Sequence, residues 1–157
     1  MTRAPPDRED CRLRFATPDD LAALKELEDE SFTHDRLSTR SIAHAVISKS
    51  QAVLLLETAE AEIAGAAIVH YRRRSRRCRL YTLAVRRASS GQGLGTRLLA
   101  ACEKDARRRG CAEIRLEART DRASTLRFYE KRGFRRLGLK PRYYEDGGDA
   151  FSFCKAL

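Results

Sequence analysis

Nowhere in the 157 residues do apolar side chains run for the roughly 18 positions that a membrane-spanning helix requires. The opening stretch, Met1 to Asp10, also lacks the apolar core of a secretory leader, so a cytoplasmic protein is expected. Paired cysteines are missing as well. Cys11, Cys78, Cys102, Cys111 and Cys154 are odd in number and scattered, which argues against a disulfide framework, shows no paired metal-ligand spacing and reads as reduced, mostly core residues, with a catalytic thiol as the alternative. His34, His44 and His70 show no ligand spacing, and no metal is assigned. Lysine is scarce: only six of the 32 basic residues, so 26 are arginine, and against 22 acidic residues the formal charge is +10. No nucleic-acid-binding module accompanies that charge. Its densest cluster, Arg72, Arg73, Arg74, Arg76, Arg77 and Arg79, lies between two apolar segments and reads as a solvated hairpin tip, so nucleic acid is not an expected partner.

What remains is enough for one compact unit. With 42% hydrophobic and 34% charged residues the chain can bury a sizeable core, and its length suits one domain over 11–157 behind a loose tail at 1–10. Arg12 to Ala16 alternates like a half-buried strand. Thr17-Pro18-Asp19-Asp20 then starts a helix, with Thr17 as N-cap, Pro18 at N1 and the acidic Asp20 at N3. A second helix follows between Ser38 and Ser50. Ala52 to Leu56, Ile63 to Val69 and Leu80 to Val85 read as a three-stranded antiparallel meander. Leu94, Leu98, Leu99 and Cys102 mark a helix that ends near Gly110. Ala112 to Ala118 is a strand with Ile114, Leu116 and Ala118 on one side and Glu113, Arg115 and Glu117 on the other. A helix over 123–132 is closed by Gly133, and two strands, around Arg135 to Tyr144 and Ala150 to Ala156, flank the turn at 145–148. The expected class is α/β, a mixed and mostly antiparallel sheet of about six to seven strands flanked by about four helices.

Chemistry gathers at Leu83-Ala84-Val85 and the stretch Ser90-Gly91-Gln92-Gly93-Leu94-Gly95-Thr96. Glycines at 91, 93 and 95 remove Cβ atoms on a bend that opens a helix. Backbone N–H groups can converge there on an anion, favoured by the macrodipole. No Gly-Lys-Ser/Thr ends the loop as a P-loop would, and a meander precedes it where a Rossmann unit would have one opening strand.

In this strand, loop and helix the sequence resembles the GNAT superfamily of acyl-CoA-dependent N-acetyltransferases, whose loop follows the pattern Arg/Gln-x-x-Gly-x-Gly/Ala. The resemblance implies that acetyl-CoA is the co-substrate, that Leu83, Ala84 and Val85 flank its pantetheine arm, and that Gly91, Gln92, Gly93, Leu94, Gly95 and Thr96 hold its pyrophosphate. Ser90 departs from the usual Arg or Gln. A closer resemblance over roughly 11–157 is to the bacterial ribosomal-protein-alanine N-acetyltransferase group. It rests on Leu116-Glu117-Ala118-Arg119, on Phe128-Tyr129-Glu130-Lys131-Arg132-Gly133-Phe134, and on Tyr143 to Ala150. It implies Glu117 as base and Tyr129 as acid, twelve residues on, with Tyr143 and Tyr144 helping to form a peptide slot. Arg122 stands where the nearest relatives usually carry an Asn that contacts the cofactor.

The chemistry is reasonable on its own terms. An α-amine has a pKa of about 7.7–8.0, so a modest carboxylate is a sufficient base. Glu117, on the charged side of its strand, suits either a cleft lining or a solvent face. A phenol near 10 facing a thiolate near 8.5 would give up its proton uphill by about 1.5 units, so hydrogen bonding serves as well as full donation. Phe128 and Tyr129 are about 100° apart on their helix, so one faces the core and the other a groove. Tyr143 and Tyr144 alternate along a strand, which sends only one into a given cleft. The acceptor expected is a protein α-amine, such as that of a ribosomal protein. A lysine or small amine, or a non-catalytic acyl-CoA-binding module, are the alternatives.

Overall fold

The computed structural model describes residues 10–157, so all of the expected tail except Asp10 lies outside the described residues. Among them, β1 (Arg12–Phe15), β2 (Gln51–Glu57), β3 (Ile63–Tyr71), β4 (Arg77–Val85), β5 (Glu113–Arg119), β6 (Arg135–Lys140) and β7 (Ala150–Ala156) form one sheet. The order is β1-β2-β3-β4-β5-β7-β6. Every pairing is antiparallel except β4 with β5. The helices are α1 (Leu21–Ser31), α2 (Thr39–Ile47), α3 (Leu94–Arg108) and α4 (Ala123–Lys131). This is the mixed, mostly antiparallel α/β architecture expected.

The entry to α1 is set by a polar cluster. Thr17 N–H donates to the Asp20 carboxylate at 2.7 Å, and Arg14 donates to both oxygens of that carboxylate at 2.8 Å. Pro18–Asp20 wind a 3-10 turn, and the α-helix proper starts at Leu21. Ser38 caps α2 by accepting from Ser41 N–H at 3.1 Å. The glycines after α3 and α4, Gly110 and Gly133, take φ of 86° and 91°, the left-handed stop that these positions require.

Two apolar layers sandwich the sheet. Leu24, Leu27, Ile42 and Ala45 of α1 and α2 pack on Val53, Leu55, Ala66, Ile68 and Ala84. On the other face, Leu99, Cys102, Ala106, Leu126 and Tyr129 of α3 and α4 pack on Leu54, Val69, Leu80, Ile114, Leu116 and Phe153. Strand β2 is buried on both sides, which explains its unbroken apolar run. All five cysteines are buried and unpaired.

Helices α1 and α2 lie over β2, β3 and β4. Beyond them, on that face, β5 exposes its charged side, and the loops 32–38 and 141–149 complete the surface. The β4–β5 pairing holds for only three residues, Arg77 with Glu113, Cys78 with Ile114 and Arg79 with Arg115. From Leu80 onward the strands part, and the β5-facing edge of β4 has no ladder partner. Within β4, Leu80 pairs with Val69 and Thr82 with Ile68, so Tyr81 is the extra residue of a bulge that bends the strand at the start of this gap.

Two expectations are corrected. The arginine-rich tip is shorter than its cluster: β3 runs to Tyr71 and β4 begins at Arg77, so Arg77 and Arg79 are strand residues alternating with buried Cys78 and Leu80. The strand expected to reach Tyr144 ends at Lys140. Pro141 has no N–H to continue the ladder and Arg142 turns to a φ of 49°, so Tyr143 and Tyr144 lie on a loop and do not alternate along a strand.

Candidate active site

The phosphate-cradle residues sit where β4 hands over to α3. Gly91 and Gly93 have φ of 79° and 74°, a conformation that disfavours any side chain, and Gly93 is the N-cap of α3 without a capping side chain. The first N–H groups of the helix therefore have no side-chain cap and remain available to an anion. Gly95 lies against Phe128, and a Cβ there would reach the ring only in ordinary contact, at 3.4 Å. Ser90 Oγ donates to the Arg87 carbonyl at 2.9 Å, so this side chain stabilises its own turn. Gln92 Oε1 is buried without a hydrogen-bond partner. Leu94 is buried, and Thr96 Oγ1 accepts from Arg132 Nε at 2.9 Å, whose guanidinium stacks on Phe128 at 3.8 Å.

Leu83, Ala84 and Val85 pair with Ala67, Ala66 and Gly65 of β3 and leave their other edge to the gap. An extended chain bearing amides can bond that edge as an added strand would. With the uncapped helix N-terminus at the end of the gap and an unpaired strand edge leading to it, the residues present fit an acyl-CoA. Arg122 is exposed and is the N-cap of α4 without a side-chain bond, so an Arg in place of Asn forgoes a capping group as well as a ligand contact.

Glu117 lies on the charged side of β5 with its side chain only 10% exposed. Its Oε1 accepts from Lys140 Nζ at 2.9 Å, and Arg79 approaches Oε2 to 2.8 Å as an ion pair without hydrogen-bond alignment. Arg79 also donates to the Tyr143 hydroxyl. Glu117, Tyr143, Arg79 and Lys140 thus form one cluster, drawn from β5, the 141–149 loop, β4 and β6. Neither cation was among the site residues expected. Arg79 was legible in the alternation with Cys78 and Leu80; Lys140 carries no local signal.

Of the adjacent aromatics, Tyr129 faces the core, 8% exposed, edge-on to Phe128 and Phe134 at 5.1 and 5.5 Å. Phe128 turns toward the α3 N-terminus. Burial first, then Cys102 and Tyr144, push the Tyr129 hydroxyl well above the ordinary phenol value. Tyr144 is likewise pushed up to about 12, chiefly by burial, and lies under the Arg119 guanidinium at 4.1 Å. Arg119 in turn pairs with Asp35 of the 32–38 loop at 2.5 Å and with Asp146 at 3.0 Å, and Glu145 N–H donates to Asp35 at 3.2 Å. The two loops are therefore joined across the face that holds Glu117.

Among the described residues no group of three His, Cys, Asp or Glu side chains converges as a metal site would, and no helix is long and apolar enough to cross a membrane.

Comparison with known proteins agrees with this architecture. The chain is 39% identical over 71 residues to N-alpha-acetyltransferase 30 of Schizosaccharomyces pombe, covering 45% of this chain and 47% of that one. It is 39% identical over 74 residues to N-alpha-acetyltransferase RimI of Mycobacterium tuberculosis, covering 46% and 45%. The matches span about half the length, or less, of these curated relatives. Among solved structures, the ribosomal-protein-S18-alanine N-acetyltransferase from Escherichia coli superposes with a TM-score of 0.83 at 24% identity over 93% of both chains. Ard1 from Thermoplasma volcanium gives 0.84 at 24% identity over 94% of this chain and 98% of its own. At that identity they speak for the fold. Residues 21–134 match the model of the acetyltransferase (GNAT) family, and the chain belongs to this family.

Proposed function

We propose that residues 11–157 form one N-acetyltransferase domain that moves an acetyl group from acetyl-CoA to the α-amine of a protein N-terminus. The observation that carries this reading is the join between the 32–38 and 141–149 loops through Arg119, Asp35 and Asp146. A surface bridged in this way admits a chain end more readily than the middle of a polypeptide. The relatives named for N-alpha-acetylation support the same acceptor.

Acetyl-CoA, when bound, supplies an activated thioester carbonyl. The N–H groups at residues 91–96 hold its pyrophosphate, and the free edge at Leu83 to Val85 aligns its extended arm. Glu117 takes the proton of the incoming ammonium group. Both its oxygens are engaged by cations, so the acceptor amine replaces Lys140 at Oε1 before transfer, and Lys140 then repels any amine that remains protonated. Tyr129 keeps its proton, because burial raises its hydroxyl further above a thiolate, and acts by hydrogen bonding to the developing negative charge. Tyr143 and Tyr144 line the slot.

The test is mass spectrometry of peptides beginning with Ala, Ser or Met after incubation with acetyl-CoA. A gain of one acetyl group at the N-terminus is expected. Unchanged masses in all three sets, with an internal lysine or a small amine acetylated instead, would replace the α-amine by those acceptors. CoA binding with no acceptor modified would leave an acyl-CoA-binding module.

A further inference from the structure

Beside the cluster around Glu117 lies a groove of about 380 Å³ that the mechanism does not use. It opens between α2 and the β3–β4 part of the sheet, and its polar lining is Arg40, Ser41, His44, Gln51, His70 and Tyr81, with no carboxylate. Arg40 stands exposed on α2. His70 and Tyr81 stack with centroids 4.6 Å apart and planes within 8° of parallel. Tyr81, lifted out of the β4 ladder by the bulge, also lies under the Arg79 guanidinium at 5.7 Å.

Arg79 is therefore the hinge between two regions. One side reaches Glu117 and Tyr143; the other reaches Tyr81 and, through it, His70 in the groove. Its Nε is buried without a partner. The carboxylates around this path are held in place, Glu117 by Arg79 and Lys140, Asp35 and Asp146 by Arg119, and Glu28 by the Leu37 N–H at 2.9 Å, whereas Arg40 faces a groove whose own lining has no carboxylate. Within the groove an acidic side chain would meet Arg40 as its complement, and a basic one would meet like charge.

Resting on the α-amine reading above, we infer that the acceptor is a polypeptide with acidic side chains just behind its N-terminus, seated from Glu117 across Tyr81 into the groove lined by Arg40, His44 and His70. Span bounds the positions. From β5 to β3 is two inter-strand steps of about 4.8 Å where the strands are paired and more where β4 and β5 part, so an extended chain needs at least about three residues to reach the groove and the acid groups are sought from position two onward. Burial first, and then Arg79, lower the His70 imidazole below its ordinary value, so at neutral pH it offers one donor and one acceptor nitrogen and leaves the charge to arginine.

The experiment compares three peptide sets that share a small N-terminal residue and carry Asp and Glu, Ser and Gln, or Lys and Arg at positions two to four. The acidic set is expected to exceed the neutral one in kcat/KM by about tenfold and the basic one by more, an advantage that shrinks on adding salt. Arg40→Glu should cut kcat/KM for the acidic set by about fivefold through KM, leaving the neutral set within twofold, and His44→Ala should act in the same direction more weakly. Equal kcat/KM for acidic and neutral peptides, a preference for the basic set, or an Arg40→Glu variant with an unchanged ratio would overturn the inference while leaving α-amine transfer in place. If no set is acetylated by protein that binds CoA, the transferase reading falls and the acidic preference falls with it.

Discussion

Glu117 and Tyr129 owe their proposed roles to opposite environments. Glu117 is a charged residue brought close to burial and matched in the fold by Arg79 and Lys140. Tyr129 is a core aromatic whose hydroxyl is the one polar atom in an otherwise apolar ring contact. Replacing Glu117 by Gln removes the base but keeps the shape, and kcat with a peptide acceptor is expected to fall by about a hundredfold, within the usual range for acid–base groups. Tyr129→Phe keeps the ring, so kcat should fall by about tenfold while the melting temperature stays near that of the parent. Tyr129→Ala, which empties a site packed against Phe128, Phe134 and Phe153, should cost about 3–5 kcal/mol in denaturant unfolding. Rates within about twofold of the parent for both Glu117→Gln and Tyr129→Phe would remove these residues from the mechanism.

At the scale of elements, the turn into α3 is the most demanding segment. Gly93 holds a φ of 74° at the N-cap, so Gly93→Ala should destabilise by about 1–2 kcal/mol and raise KM for acetyl-CoA while the peptide KM holds. Thermal unfolding and initial rates separate the two effects. The start of α1 makes a prediction about pH. The Asp20 carboxyl is held below its ordinary value first by its bond to Arg14, against the opposing effect of burial, and then by the Thr17 N–H. A depressed folded pKa means that the contribution is complete above the unfolded carboxylate value, near 3.9, and is lost as pH falls through the folded one. Asp20→Asn should therefore flatten the acid limb of the stability curve, read from urea midpoints between about pH 5 and the acid transition.

For the molecule as a whole, the functional face depends on segments far apart in sequence. Asp35, at a φ of 57°, meets Arg119 from 84 positions away and Glu145 from 110. Asp35→Ala should loosen the join between the two loops and raise the peptide KM several-fold with little change in the acetyl-CoA KM, because the α3 N-terminus lies on the other side of the sheet. Initial rates with each substrate varied in turn provide the check.

Local pattern was sufficient for much of this architecture. The alternation in β5, the apolar run of β2, the helical spacing from Leu94 to Cys102 and the glycines at 110 and 133 each act through neighbours in sequence, so element order and the α3 turn were legible from residues alone. Where the reading failed, a local rule met a stronger one. Charge density in the arginine cluster masked the strand alternation that begins at Arg77, and Pro141 with Arg142 stopped a strand expected to reach Tyr144. Tertiary structure alone decided the partners of Glu117, the three-residue limit on β4–β5 pairing, and the route from Glu117 past Tyr81 to Arg40. These join residues on different strands and helices, and their distances follow from how the elements pack, which no spacing within one element encodes.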